Sequence, residues 1–186
     1  MVTAWNSQPG QSSLTSSRSH LSAVLLPQFM VDALDSQSAK LGSFGHGFTY
    51  GGHPLGCALG VKAIEIYQKR DILGKVRALA PQFTARLDRL SEHPLIGNVR
   101  SKGLVGGLEL VANKATKAPF EAKYGVAAKA VTFLQERGAI LRAIGDTIAV
   151  CPPMIISEAE LDELFDRLGQ ALDDAEAWVR AEGLRG

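Results

Sequence analysis

The chain has 186 residues, 46% of them hydrophobic, enough to bury the core of one domain or slightly more. Lys+Arg (20) and Asp+Glu (19) leave a formal charge of +1, which gives no support for a nucleic-acid partner or a charged membrane surface. No apolar run approaches membrane-spanning length, residues 1–10 do not read as a secretory signal, and two cysteines are too few for a disulfide framework.

Taken in chain order, residues 7–22 are crowded with serine and hold few large apolar side chains, so this stretch is expected to be poorly ordered. Residues 22–26 (SAVLL) form an apolar run stopped by Pro27 and fit a buried strand. Phe29, Met30, Ala33 and Leu34 give a short helical period. Residues 42–52 hold five glycines and read as a loop. Pro54 suits the first position of a helix that runs on to Lys69. Gly56, Ala58, Gly60 and Ala63 make that helix narrow, and Glu65 and Lys69 are spaced for an ion pair on its wet side. A second helix, over residues 72–90, carries Ile72, Val76, Leu79, Phe83, Leu87 and Leu90 on one face.

From Val99 the period changes. Residues 99–102 and 104–111 read as strands separated by Gly103. Residues 124–138 read as a helix ended by glycine. Residues 140–142 and 147–150 are short strands around a Gly145-Asp146 turn, a hairpin signal. Ser157 with Glu160 is a capping box opening the last helix, which buries Leu161, Leu164, Phe165, Leu168, Leu172 and Val179. The order strand, strand, helix, strand, strand, helix argues for helices on one face of a mainly antiparallel sheet. Cys57 and Cys151 sit in apolar contexts and are expected to be reduced core residues of a cytoplasmic protein.

Two segments carry chemistry. A glycine-rich loop entering a helix, FGHGFTYGGHP over residues 44–54, offers free backbone N–H groups, the positive end of a helix dipole and the Thr49 hydroxyl: a phosphate-binding arrangement. His46 and His53 in the same loop are read as turn-filling residues. Arg142 stands just before a tight turn, and its guanidinium can hold a carboxylate through two parallel hydrogen bonds.

Three segments in order resemble the class III pyridoxal-phosphate-dependent aminotransferases, the family of the ω-transaminases: FGHGFTYGGHP (44–54), VRSKGLVGGLEL (99–110), and LRAIGDT (141–147) running on to Cys151-Pro152-Pro153. The resemblance covers roughly residues 21–175. It implies an α/β chain, the C-terminal part of a PLP-dependent transferase fold (fold type I): the end of the large domain followed by the small α+β C-terminal domain. The expected divisions are a poorly ordered stretch at 1–20, a remnant of the large domain at 21–92 and the small domain at 93–186.

The resemblance also implies roles. Thr49, with the Phe48 backbone beside it, matches the position that reaches the phosphate of pyridoxal 5'-phosphate across a dimer interface. Arg142 matches the arginine that binds a substrate carboxylate. No catalytic role is expected of Glu109. The family's Schiff-base lysine falls at Ser12, and the first lysine of the chain is Lys40, too far along to replace it. The aspartate for the pyridine nitrogen and the ring-stacking aromatic belong to a large domain that would precede residue 1. The implied function is transfer of an amino group between an amine or amino acid and a keto acid, with the chain inactive on its own. The alternative is a non-catalytic module that docks on, or complements, a full-length transaminase subunit. A homodimer or a pairing with such a subunit is expected, with no nucleic-acid, membrane or metal partner.

Overall fold

The computed structural model describes residues 2–6 and 19–185 of the chain, which falls into two compact units, Met1–Arg70 and Asp71–Gly186.

In the first unit, β1 (Val2–Asn6) pairs antiparallel with β2 (Ser19–Ala23). The strand expected over residues 22–26 lies earlier than that. The ladder reaches Val2 opposite Ala23, so Val24, Leu25 and Leu26 have no strand to pair with and stay exposed. Most of the serine-rich stretch expected to be poorly ordered lies outside the described residues, as does Ser12. Pro27 opens α1 (Gln28–Leu41), and Gly42, at φ 73°, closes it in the left-handed conformation that glycine adopts without steric cost. None of the residues of α1 is buried.

Pro54 stands at the head of α2 (Pro54–Lys69), as its fixed φ suits. Gly56 and Gly60, one turn apart, are its buried residues, and the helix lies beside the β1–β2 pair. The ion pair on its wet side is Lys62–Glu65 at 2.9 Å rather than Glu65–Lys69. The expected reduced-core role for the cysteines does not hold either. Cys57 is only half-buried and Cys151 is exposed, because the chain leaves the sheet at Val150 into Pro152-Pro153.

The second unit follows its sequence pattern closely. α3 (Ile72–Leu90) is capped by Asp71, whose side chain accepts from the Gly74 amide at 3.2 Å. β3 (Ile96–Lys102), β4 (Val105–Leu110), β5 (Arg142–Ile144) and β6 (Thr147–Val150) form one antiparallel sheet in the order β3-β4-β6-β5. α4 (Val126–Glu136) joins the two hairpins, and α5 (Glu158–Ala181) starts at the expected capping box, with the Ser157 amide donating to Glu160 at 2.8 Å. α3 packs on β3 and β4, α4 packs on β5 and β6, and α5 lies against both helices.

Alternation along the strands decides what meets the helices. Leu108 and Leu110 of β4 and Ile148 and Val150 of β6 are fully buried on the helix side with Phe83, Leu87, Leu134, Leu168 and Leu172. The Phe83 and Phe165 rings meet edge to face at 5.6 Å, a favoured aromatic geometry. Gly106 is needed here: a Cβ would come within 2.4 Å of Leu87 Cδ1. The helix Ile72–Leu90 lies in the compact unit that contains the sheet. Its apolar stripe finds its partners there.

Candidate functional site

Phe48 and Thr49 sit in the loop between α1 and α2. The Gly51 amide donates to the Phe48 carbonyl at 2.8 Å, closing a turn around Thr49 and Tyr50. The His53 amide then donates to the Tyr50 carbonyl at 3.2 Å, and Gly52 takes φ 71°. Side chains brace this turn from outside. The His46 ring lies edge-on to Phe48 at 5.3 Å and 6.0 Å from Phe44, and His53 lies 6.0 Å from Tyr50. Both histidines thus pack against aromatic rings of the loop, as the turn-filling reading expects.

The loop delivers the chain to a helix end with free donors. The first amide bonded inside the turn is Cys57, donating to the His53 carbonyl at 3.0 Å, so Leu55 and Gly56 have no intrahelical acceptor. No side chain caps α2, and no acidic residue lies in its first turn. The positive end of the helix is therefore uncompensated. Thr49 is exposed, and its hydroxyl has no partner among the described residues. Phe48 is 68% exposed. The donors here suit an anion of phosphate chemistry.

Arg142 belongs to the second unit, at the start of β5. It pairs with Ala149, while Ala143 between them in sequence turns to the core. Arg142 therefore points to the face of the sheet opposite the helices. That outer face also carries Arg100, Val105, Gly107, Glu109, Thr147, Ala149 and Ile144. Val105 and Ile144 are 59% and 57% exposed, so nothing in this unit covers the face. Arg142 is exposed and has no acidic partner among the described residues.

Two carboxyl groups lie further along the sheet, toward the Gly145-Asp146 turn. Glu109 accepts a long hydrogen bond from Asn98 at 3.4 Å, which is the structural partner this residue has. Asp146 forms the turn after β5, where burial, reinforced by the Glu109 charge, pushes its carboxyl above the ordinary range. Its carbonyl accepts from the Leu110 amide at 2.8 Å and ties the turn to β4.

The sequence-expected residues thus fall in different units, Phe48 and Thr49 in the first and Arg142 in the second. Arg100 went unnoticed because its place opposite Gly107 follows only from strand register. The usable signal was Gly103: counting outward from a two-residue turn pairs Lys102 with Val105 and Arg100 with Gly107. No group of His, Cys, Asp and Glu that could hold a metal occurs among the described residues. None of the described helices is long and apolar enough to cross a membrane.

Comparison with known proteins bears on these positions. Residues 14–172 match the family described as Aminotransferase class-III. A probable gamma-aminobutyrate transaminase 3 of Oryza sativa subsp. indica, mitochondrial by name, is 39% identical over 163 residues, 88% of this chain and 32% of the relative. A gamma aminobutyrate transaminase 1 of Solanum lycopersicum, also mitochondrial by name, is 40% identical over 166 residues, 89% of this chain and 32% of the relative. Among solved structures, a PLP-bound aminotransferase mutant from Vibrio fluvialis superposes with a TM-score of 0.77 at 38% identity, covering 83% of this chain and 34% of that one. An ω-aminotransferase from Paracoccus denitrificans gives a TM-score of 0.72 at 40% identity, covering 78% and 32%. The chain spans about a third of the length of these relatives.

Proposed function

Because the chain belongs to the class III aminotransferases, we propose that it supplies the phosphate-binding loop and the carboxylate-binding strand of an enzyme that moves an amino group between an amine or amino acid and a keto acid. The observation that carries this reading is Arg142. It is an exposed guanidinium with no acidic partner among the described residues, on a sheet face that nothing in its own unit covers, at the position the resemblance matches to the family's arginine. In that place it binds the substrate carboxylate through a two-pronged hydrogen bond and fixes which end of the substrate lies inward.

Pyridoxal phosphate is the family cofactor, and its phosphate fits the first unit's donors: the Thr49 hydroxyl, the Phe48 and Thr49 amides, and the uncapped start of α2. When bound, the cofactor supplies an electron sink for the carbon that exchanges its amino group. The chain's own residues anchor the phosphate and orient the carboxylate. The chain does not turn over alone, since Ser12 stands where the family has its cofactor-binding lysine and a serine hydroxyl cannot replace that amine.

A second reading, that the chain pairs with a transaminase subunit and completes it, is favoured by the first unit. Leu25, Phe29, Leu41 and Leu55 are all widely exposed there. Large apolar side chains left exposed in such number are what a partner's surface would cover. Mixing the chain with an intact homologue and weighing the products tests it; an unmixed homologue would sink it. We place the chain in the cytoplasm on its unpaired Cys57 and Cys151. Fractionation that finds it in an organelle, as the relatives' names would have it, overturns that placement.

The roles are tested by grafting residues 21–186 onto the large domain of an active homologue with its lysine intact. Thr49→Ala removes a hydrogen bond to a charged phosphate, worth about 1.5–3 kcal/mol, and cofactor affinity falls roughly ten- to a hundredfold. Arg142→Ala leaves the cofactor alone, weakens keto acids and spares amines without a carboxylate. Equal loss on both substrate classes overturns the role.

A further inference from the structure

One row of residues crosses the outer face of the sheet from edge to edge. Arg100 on β3 stands opposite Gly107 on β4, Gly107 opposite Ala149 on β6, and Ala149 opposite Arg142 on β5. Residues paired across strands point to the same face. Two guanidinium groups therefore bracket a floor made of one hydrogen and one methyl group. Three strand spacings of ~4.8 Å put their Cα atoms about 14 Å apart.

Three further observations bear on this row. Arg100, like Arg142, is exposed and has no acidic or hydrogen-bonding partner among the described residues, a condition that Arg70, Arg77 and Arg89 share away from this sheet face. A concavity of about 400 Å³ lies against the Arg100 side of the row, lined by Arg100, Lys102, Val105, Gly107, Thr147 and Ala149, and Arg142 stands beyond its lining. The carboxylate on the same face, Glu109, sits in the neighbouring row, opposite Thr147, and is held by Asn98. The row itself carries positive charge at both ends and no negative charge.

We propose that Arg100 is a second carboxylate anchor, so that the outer face prefers ligands with an acidic group at each end. This rests on the reading of Arg142 as a carboxylate-binding residue and adds a specificity-determining residue to it. A monoacid engages one planar fork. A diacid of about five carbons spans the floor and engages both, each through paired N–H···O bonds. Lys102 belongs to the next row, opposite Val105, and offers only a point charge.

The test uses the whole chain, labelled with ¹⁵N and titrated with glutarate and with butyrate at about 0.15 M salt, which screens diffuse attraction. The arginine Nε–H resonances are followed. Glutarate should shift Arg100 and Arg142 together and bind at least about tenfold more tightly than butyrate, which should shift Arg142 alone. Arg100→Gln should abolish that preference and leave the butyrate affinity as it was; Arg100→Lys should restore part of it. A thermal melt confirms that the variants fold. Equal affinities in the unaltered chain, or a preference that survives Arg100→Gln, overturn the proposal while the Arg142 reading stands. If neither acid shifts Arg142, both fall. If glutarate shifts every exposed arginine alike, Arg77 included, the binding is unspecific attraction and the proposal falls.

Discussion

Helices α1 and α5 make opposite use of similar sequence material. Both carry apolar residues at helical spacing, and both have a basic residue in the last turn, Lys40 and Arg180. Yet α1 buries none of its 14 residues, and α5 buries eight of its 24, from Leu161 to Val179. The second unit closes its core on the helix side of the sheet: the inward strand residues, helix stripes and caps meet partners there, and only the outer sheet face is left open. The first unit presents its apolar side chains and its loop donors outward. The difference teaches that the chain's stability and the loop proposed to bind phosphate live in different places. The arginine proposed to bind a carboxylate, by contrast, sits on the unit with the buried core.

Four experiments break or sharpen that contrast. The largest effect is expected from limited proteolysis. Cleavage should fall within the first 70 residues and leave a fragment close to Asp71–Gly186 that still unfolds in one cooperative step. First cuts inside β3 to α5 would erase the distinction.

Truncations of single side chains come next. Leu108→Ala, in the fully buried middle of β4, should cost about 2–5 kcal/mol in urea unfolding. Leu41→Ala, at the exposed end of α1, should stay within about 0.5 kcal/mol. Comparable costs would mean that α1 is covered in solution.

The neighbouring glycines of β4 give a finer comparison within one strand. At Gly106 a new Cβ meets Leu87 Cδ1 at 2.4 Å and Phe83 Cε1 at 3.1 Å, both in the fully buried core. Gly106→Ala should cost about 1–3 kcal/mol by overpacking. At Gly107 the Cβ meets only Thr147 Cγ2, at 3.3 Å on the open face, and Gly107→Ala should change stability by about 0.5 kcal/mol or less. Equal melting shifts would contradict the two-faced sheet.

The smallest effect concerns acid. His93 lies against α5, 3.4 Å from Asp173, yet burial holds its pKa below the ordinary 6.5, outweighing the pull of Asp173. Folding therefore favours the neutral ring. The stability this contributes is present above 6.5 and lost as pH falls through 6.5 toward the lower folded value. Unfolding midpoints measured between about pH 8 and 5 should decline more in the unaltered chain than in His93→Gln. Parallel curves would remove His93 from the account.

What the sequence made legible was local. The Ser157–Glu160 capping box, the stripe from Ile72 to Leu90 and the hairpin around Gly145-Asp146 depend on residues a few positions apart, and each appears, although the first strand of the hairpin is Arg142–Ile144 rather than residues 140–142 because the two-residue turn lets pairing run up to Ile144. The three segments with a family likeness were legible too, because they are short and ordered. Pairings between distant residues were not. β1 has no alternation to announce it, and its existence depends on Ser19–Ala23 lying beside it. Glu176 is buried with Arg180 and Arg185 around it, a cluster that needs the chain end folded back onto α5. Cys151 looks apolar in sequence, but the prolines after it carry the chain off the sheet. Arg100 became visible only through register.

Register has one more consequence, at β5. This strand is three residues long, with Arg142 and Ile144 outward and Ala143 inward. Its frame is set by the Gly145-Asp146 turn, where Gly145 takes φ 57° at the first central position. A strand is a parity device: every side chain changes face when the count shifts by one. One residue inserted between Ile144 and Thr147 would carry Arg142 from the open face into the hydrocarbon interior, with no side chain chemically altered. The proposed substrate anchor is thus written as an odd-or-even count as much as an amino-acid identity. Length changes in this turn should therefore be far less tolerated than substitutions within it.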